Sequence, residues 1–344
     1  MHHSAHSWHA TVGELFLLAL VTAFVTAFFV TPQVRRLAMK VGVLDLVDER
    51  RMHSDPKPRI GGIAIYLGLA TALFVTIGFA LHTMLFRTAN DTQDFFGLLF
   101  GGTLIMLVGV WDDVMGMRPR NKFIAQIVVA IISMIYGFHI PDFKLPGTAA
   151  YVNLPAWIDY PVTLLWYLGM MNAINFLDGL DGLLAGVTAI SGIALFGIAS
   201  AHGHFGAALV LCALVGGALG FLPYNFSPAK IILGDTGSLL IGYVFATVSL
   251  LITAKIAVTV SLLVPLVALA LPVVDTAAAI LRRVRAGRAI TEADRGHFHH
   301  VLVFRFGLGV KQAVLLIYAV SILLGAAAYL LSGSAAHLQM KTFI

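Results

Sequence analysis

Five segments bring together residue types that can handle a multiply charged ligand. In Val110-Trp111-Asp112-Asp113-Val114, two adjacent carboxylates end an apolar run, and Gly116, Arg118, Arg120 and Lys122 follow. Such carboxylates repel unless a cation shares them. A hard, oxygen-seeking ion such as Mg²⁺, or a bridging lysine, would relieve the pair, which could then supply a metal contact and a general base. A solvated helix end beside basic neighbours would explain an isolated pair equally well. In Asn172-Ala173-Ile174-Asn175-Phe176-Leu177-Asp178-Gly179-Leu180-Asp181-Gly182, a helical backbone sets Asn172, Asn175 and Asp178 near one face. Two Asn and two Asp on an otherwise apolar helix pair favour function over a plain Asx-capped loop.

A third segment runs from Pro223-Tyr224-Asn225-Phe226 to Gly234-Asp235-Thr236-Gly237-Ser238. A carboxylate followed by Thr, Gly and Ser at a helix start offers a metal ligand plus N–H groups and hydroxyls for phosphate oxygens; it is equally an Asp-Thr N-cap. The fourth extends from Asp275 through Arg282, Arg283 and Arg285 to Asp294-Arg295-Gly296-His297-Phe298-His299-His300. Arginines with three histidines suit a phosphate-bearing ligand. Zinc competes, but no cysteine accompanies the histidines and the remaining acids suit Mg²⁺ better. In the fifth, Pro56-Lys57-Pro58-Arg59-Ile60-Gly61-Gly62, the glycine pair permits close backbone approach while Lys57 and Arg59 can meet a phosphate or a nucleotide edge.

These segments must be positioned by membrane helices. Of 344 residues 59% are hydrophobic and 11% charged, and the mean hydropathy is +0.91, far too apolar for a soluble domain. Ten candidate spans follow, near 12–31, 60–81, 95–111, 121–139, 161–176, 181–201, 205–222, 238–253, 259–276 and 312–332. The sequence therefore predicts an all-α polytopic integral membrane protein with one transmembrane domain over 1–344. The first apolar run lacks a cleavage-site pattern and reads as a retained span. With the first loop cytoplasmic, eighteen Lys and Arg lie on that side against four on the other. Twelve of the seventeen acids share that face, although charge topology does not require it, which points to one site at the cytoplasmic surface.

The remaining features carry no chemistry. His2, His3, His6 and His9 read as a disordered tail, Cys212 as a small core residue, and Ile140 to Pro161 as a hairpin or interfacial loop on the far side. No internal repeat supports an inverted-repeat transporter.

In this order the five motifs resemble the polyprenyl-phosphate N-acetylhexosamine-1-phosphate transferases, over about Asp45 to Phe306. The resemblance implies a ten- or eleven-helix fold in the bacterial inner membrane, Mg²⁺ with Mn²⁺ as a substitute, a UDP-sugar donor, a polyprenyl phosphate acceptor such as undecaprenyl phosphate, and UMP as leaving group. Asp294 to His300 is similar to the N-acetylglucosamine-1-phosphate transferases of teichoic acid, O-antigen and enterobacterial-antigen pathways, which favours UDP-GlcNAc over the UDP-MurNAc-pentapeptide of the translocase branch or another UDP-2-acetamido sugar. The resemblance also assigns roles. Asp112 is the base near the lipid phosphate, Asp113 its metal- or lysine-linked neighbour, and Asp235 a Mg²⁺ ligand. Asn175 and Asp178 line the metal–pyrophosphate region, and Asp181 and Asn225 lie toward the uridine. Lys57 and Lys122 match family lysines, although Lys122 stands ten residues beyond Asp112, outside the tighter Asp-Asp-x-x-Lys form. Arg295, His297, His299 and His300 meet the donor's phosphates or sugar. Membrane lipids and, by analogy, a second copy of the chain are the expected partners; nucleic acid is not.

Two routes stay open, direct attack of the lipid phosphate and a two-step path through an aspartyl phosphate. From another class, a cation-coupled transporter would set its acids near mid-span, whereas these collect at one surface.

Overall fold

A computed structural model of the chain describes residues 2–45, 56–82, 89–140, 142–144, 151–253, 266–267, 269–285, 287 and 297–341. It is an all-α membrane protein with two minimal hairpins. The helices are α1 (His2–Val41), α2 (Gly62–His82), α3 (Ala89–Met115), α4 (Pro119–Ile135), α5 (Ala156–Leu177), α6 (Leu183–Ala201), α7 (Phe205–Asn225), α8 (Gly234–Thr253), α9 (Ala270–Arg285), the single turn α10 (Phe298–His300) and α11 (Val310–Lys341).

Among the described residues seven helices are long and apolar enough to cross a bilayer: α1, α2, α3, α6, α7, α8 and α11. They coincide with seven of the ten expected spans. Helix α4, with 17 residues, is about 25 Å long and falls short of a hydrocarbon core of roughly 30 Å. Helix α5 is 22 residues long but interrupts its apolar surface with Asp159, Asn172 and Asn175. The expected span 259–276 lies partly outside the described residues.

One local expectation is corrected. The N-terminal stretch read as a disordered tail is helical from His2, since nothing before Gly13 breaks a helix. The first helix contains Pro32 and runs on to Val41. Tertiary burial of Val34 and Ala38 outweighs the one hydrogen bond that proline removes.

Small residues set the helix spacing, as apolar surface gives no net drive within lipid. Ala19, Ala23 and Ala27 form a fully buried stripe on α1. Facing them, a Cβ on Gly216 or Gly220 of α7 would run into the carbonyls of Leu20 and Phe24. Helices α7 and α8 are the most enclosed, whereas α1 and α11 turn Phe29, Leu323 and Leu330 outward.

Antiparallel strands β3 (Asp142–Lys144) and β4 (Tyr151–Asn153) form the hairpin expected on the far side. At the opposite end of the bundle, β1 (Leu44–Asp45) pairs with β2 (Lys57–Pro58), a contact the sequence did not announce. The chain after β2 then hydrogen-bonds the segment before α8: Ile232 N–H to Pro58 O, Gly61 N–H to Ile232 O and Gly62 N–H to Leu233 O. This puts β2 beside the α8 N-terminus.

Candidate active site

Four of the five chemical segments meet at that end, and the described part of the histidine segment docks beside them. Close approach of α3 to α8 begins at Gly109, where a Cβ would fall 2.5 Å from the Thr236 Cα. One turn later Asp113 reaches the start of α8. Its Oδ1 accepts the Asp235 N–H (2.9 Å) and its Oδ2 accepts the Thr236 N–H (2.9 Å) and hydroxyl (2.6 Å). The N–H groups read as a phosphate cradle are therefore capped by a carboxylate 122 residues away. Arg59 Nε adds an ion pair to Asp113 Oδ1 at 3.1 Å, and the Asp113 side chain is fully buried. With both oxygens committed, Asp113 is a keystone for α3, α8 and β2.

Asp112 points elsewhere. Its Oδ1 accepts the Met117 N–H at 2.7 Å, and its Oδ2 lies 2.9 Å from Lys122 Nζ. The same ammonium is 2.8 Å from Asp235 Oδ2. Gly116, at φ +68°, reverses the chain between α3 and α4, and this turn closes the ten-residue gap between Asp112 and Lys122. Asp235 also accepts from Asn175 Nδ2 (2.5 Å), which reaches Ser238 Oγ at 2.7 Å. Asn172, in register with Asn175, turns to Gln126 instead.

Arg59 ties the network together, meeting Asp45 at 3.4 Å, Asp113 at 3.1 Å and Asp235 at 3.9 Å. It precedes Ile60, which holds φ +66°, a left-handed conformation costing a β-branched residue about 1–3 kcal/mol. The hydrogen bonds of Gly61 and Gly62 hold it there, and a Cβ on Gly62 would strike the Gly237 backbone. The sequence had linked Arg59 to phosphate; the fold gives it to carboxylates.

Asp178 caps α5, and among the described residues no donor or cation bonds its carboxyl. Burial first, then the charges of Asp235 and Asp113, push it up to about 8. Lys57 pairs with Asp181 at 2.8 Å, and the same Asp181 oxygen accepts the Ala229 N–H at 2.9 Å. This pair borders a cleft of about 630 Å³ lined by Arg35, Lys57, Gly179, Asp181, Ser227 and Lys230. Asn225 is buried and spends its amide on backbone, accepting from Gly182 N–H and donating to Ile231 O. Tyr318 of α11 donates to the Gly182 carbonyl at 2.5 Å, a contact with no signal in an apolar helix sequence.

The histidine segment docks on the 176–179 stretch. His297 lies 5.6 Å from the Phe176 ring, and His299 packs so closely on Gly179 that a Cβ there would fall 2.1 Å from its Nε2. Burial, then His300 and His297, lower His299 to about 3, so it is a neutral imidazole. The three imidazoles adjoin, with His299 and His300 centroids 4.3 Å apart. Arg295 lies outside the described residues.

Asp45, Asp112, Asp113 and Asp235 thus share two cations, Arg59 and Lys122, with Asp178 beside them. Four carboxylates against two cations leave room for a divalent ion, and the donors are oxygens only, which suits Mg²⁺. Among the described residues no three His, Cys, Asp or Glu side chains converge as an ion cage. Mg²⁺ commonly takes one or two carboxylates and completes its shell with phosphate oxygens and water, so the residues fit.

Residues 95–253 match the Glycosyl transferase family 4 model, a stretch that includes Asp112 to Asp235 but not the histidines. The chain is 34% identical over 327 residues to a Bacillus subtilis (strain 168) protein named "Probable undecaprenyl-phosphate N-acetylglucosaminyl 1-phosphate transferase", covering 94% of this chain and 87% of the relative. A decaprenyl-phosphate N-acetylglucosaminephosphotransferase of Mycolicibacterium smegmatis is 34% identical over 325 residues, 89% of this chain and 79% of the relative. A phospho-N-acetylmuramoyl-pentapeptide-transferase of Staphylococcus epidermidis is 30% identical over 251 residues, 70% of this chain and 76% of the relative. With these motifs assembled on a polytopic helical fold, the chain belongs to the polyprenyl-phosphate N-acetylhexosamine-1-phosphate transferase family.

Proposed function

We propose that this protein transfers N-acetylglucosamine-1-phosphate from UDP-GlcNAc to undecaprenyl phosphate in the bacterial inner membrane, with its site facing the cytoplasm. The product is a lipid-linked sugar for cell-envelope polysaccharide synthesis. The observation that carries the reading is the cluster of Asp45, Asp112, Asp113 and Asp235 on two cations, Arg59 and Lys122, beside a cleft bearing Arg35, Lys57 and Lys230. Greater identity and coverage with the two N-acetylglucosamine enzymes favours that donor over the pentapeptide.

In the direct route an oxygen of the lipid phosphate attacks the β-phosphorus of the donor. The bond from that phosphorus to the oxygen bridging the α-phosphorus breaks, UMP leaves with the bridging oxygen, and a lipid–pyrophosphate–sugar forms. One phosphoanhydride replaces another, so oxyanion neutralisation is the main demand. Asp112, held by Lys122, positions the lipid phosphate or takes its proton. Lys57 and the neighbouring basic residues orient the donor in the cleft, while Asp113 and Arg59 hold Asp235 and the α8 N-terminus still. Asp235 and the adjacent Asp178 would hold Mg²⁺, which supplies charge neutralisation at the pyrophosphate when bound.

The test incubates purified full-length protein with undecaprenyl phosphate, Mg²⁺ and either UDP-GlcNAc or UDP-MurNAc-pentapeptide, following UMP and lipid product in the parent and in Asp235→Asn. GlcNAc-lipid made by the parent and not by the variant supports the reading. Turnover of the pentapeptide donor alone moves the protein to the other branch, and a labelled phosphoenzyme formed with donor alone replaces direct attack by the two-step route.

A further inference from the structure

Asp275 stands on α9, outside the carboxylate cluster and outside every role assigned above. Its Oδ2 lies 2.8 Å from His297 Nδ1 and its Oδ1 accepts the Phe298 N–H at 2.9 Å. Both side chains of the pair are nearly buried, 7% exposed for His297 and 8% for Asp275. One carboxylate thus grips the histidine segment twice, by a ring nitrogen and by the backbone where α10 begins. On its other sides the His297 ring meets Phe176 and stacks on His299 at 5.8 Å and 14°. Arg283, also of α9, covers the Phe176 ring at 5.7 Å. Helix α9 therefore fixes both the histidine segment and the aromatic ring on which it rests, next to Asn175 and Asp178.

The chemical consequence concerns the tautomer. An ionised carboxylate has no proton to give, so the Nδ1 facing it carries the hydrogen. Among the described residues no hydrogen bond engages Nε2, which is then the nitrogen left to meet a ligand. We propose that Asp275 is a positioning residue for the sugar-nucleotide donor, acting through His297 by fixing its ring orientation and keeping its proton on Nδ1. This inference rests on the proposed transferase reading.

Asparagine at 275 makes a sharp probe. It preserves shape and can still accept the Phe298 N–H, but its amide NH₂ then faces Nδ1 and drives the imidazole proton to Nε2. The experiment compares wild type, Asp275→Asn, His297→Gln and the double variant as full-length protein, reading kcat, both KM values and thermal stability. Asp275→Asn is expected to raise the donor KM about tenfold or more, by analogy with the scale seen when a metal-bound histidine loses its orienting partner, with the acceptor KM within about twofold and the melting temperature unchanged. In the His297→Gln background, Asp275→Asn should cost nothing further, because the residue through which it acts is gone. Losses that multiply in the double variant, or equal damage to both substrates with a lowered melting temperature, overturn the proposal. The cycle is run with whichever donor the wild type turns over, so wild-type turnover decides the functional reading by itself and the ratios among variants decide the role of Asp275.

Discussion

Helix α5 carries a carboxylate near each end, and the protein answers the two charges very differently. Asp159, in the first turn, is buried and satisfied: it meets His139 Nδ1 at 2.7 Å, the Ile140 N–H at 3.0 Å and the Thr163 hydroxyl at 3.1 Å. The positive end of the helix dipole adds to this. Asp178 caps the other end, where the dipole opposes a negative charge, and its nearest charged company includes Asp235 and Asp113. Over 22 residues, about 33 Å, one helix passes from a carboxylate that locks the fold to one the fold leaves wanting a cation. Packing needs explain the first; the second is where the proposed reaction would place a cation.

The largest separation of the two ends is expected in turnover. Asp235→Asn should lower kcat by at least about a hundredfold, while Asp159→Asn keeps turnover within about twofold and instead costs stability of about 1–3 kcal/mol from strained hydrogen bonds. Equal loss of turnover in both would erase the distinction. Next comes Gly179→Ala, whose methyl group must displace His299. A shift of this kind beside the reacting groups should cost roughly 10–100-fold in kcat/KM, with little change in melting temperature.

A smaller effect, of opposite sign, sharpens the contrast. In chelator and without nucleotide, Asp178→Asn should raise the melting temperature by about 2–4 °C, because it removes a carboxyl that burial and like charge disfavour. The same change at Asp159 should lower it. His299 gives a pH signature. Its folded value of about 3 lies below the ordinary 6.5, so the unfolded chain binds a proton in that window that the folded protein refuses. Stability is therefore lost as pH falls from 6.5 toward 3, and His299→Gln should flatten that slope in thermal melts. The smallest effect is assigned to Tyr318→Phe, which removes one hydrogen bond to Gly182; about 1 kcal/mol, near fivefold, should appear in the donor KM.

Much of this arrangement is legible along the chain. The apolar runs announce membrane helices, the acids fall on the face that the Lys and Arg bias marks, and proline, glycine and β-branched residues mark the far hairpin. The Asn175–Asp178–Asp181 run and the Asp235 segment are recognisable as chemical because polar oxygens are costly inside lipid. Partner choice is not legible. Asp113 read as a metal contact, and the fold makes it the cap of α8. Lys122 seemed too distant from Asp112 until the Gly116 turn brought it back. Asn225 reads as a ligand contact, and the fold also gives it two backbone turns to clamp.

By itself, then, the sequence determined the class of protein, the order of its motifs and the face on which they gather. Hydropathy and charge bias are sums over local residues, and a bilayer reads them one segment at a time. Tertiary structure alone decided which carboxylate meets which cation, that Asp275 holds His297, and that Tyr318 reaches Gly182. Hydrogen bonds and ion pairs depend on separations of a few ångströms between groups that lie 22 residues apart for Asp275 and His297 and 136 for Tyr318 and Gly182, and those separations exist only once small residues let the helices close on one another.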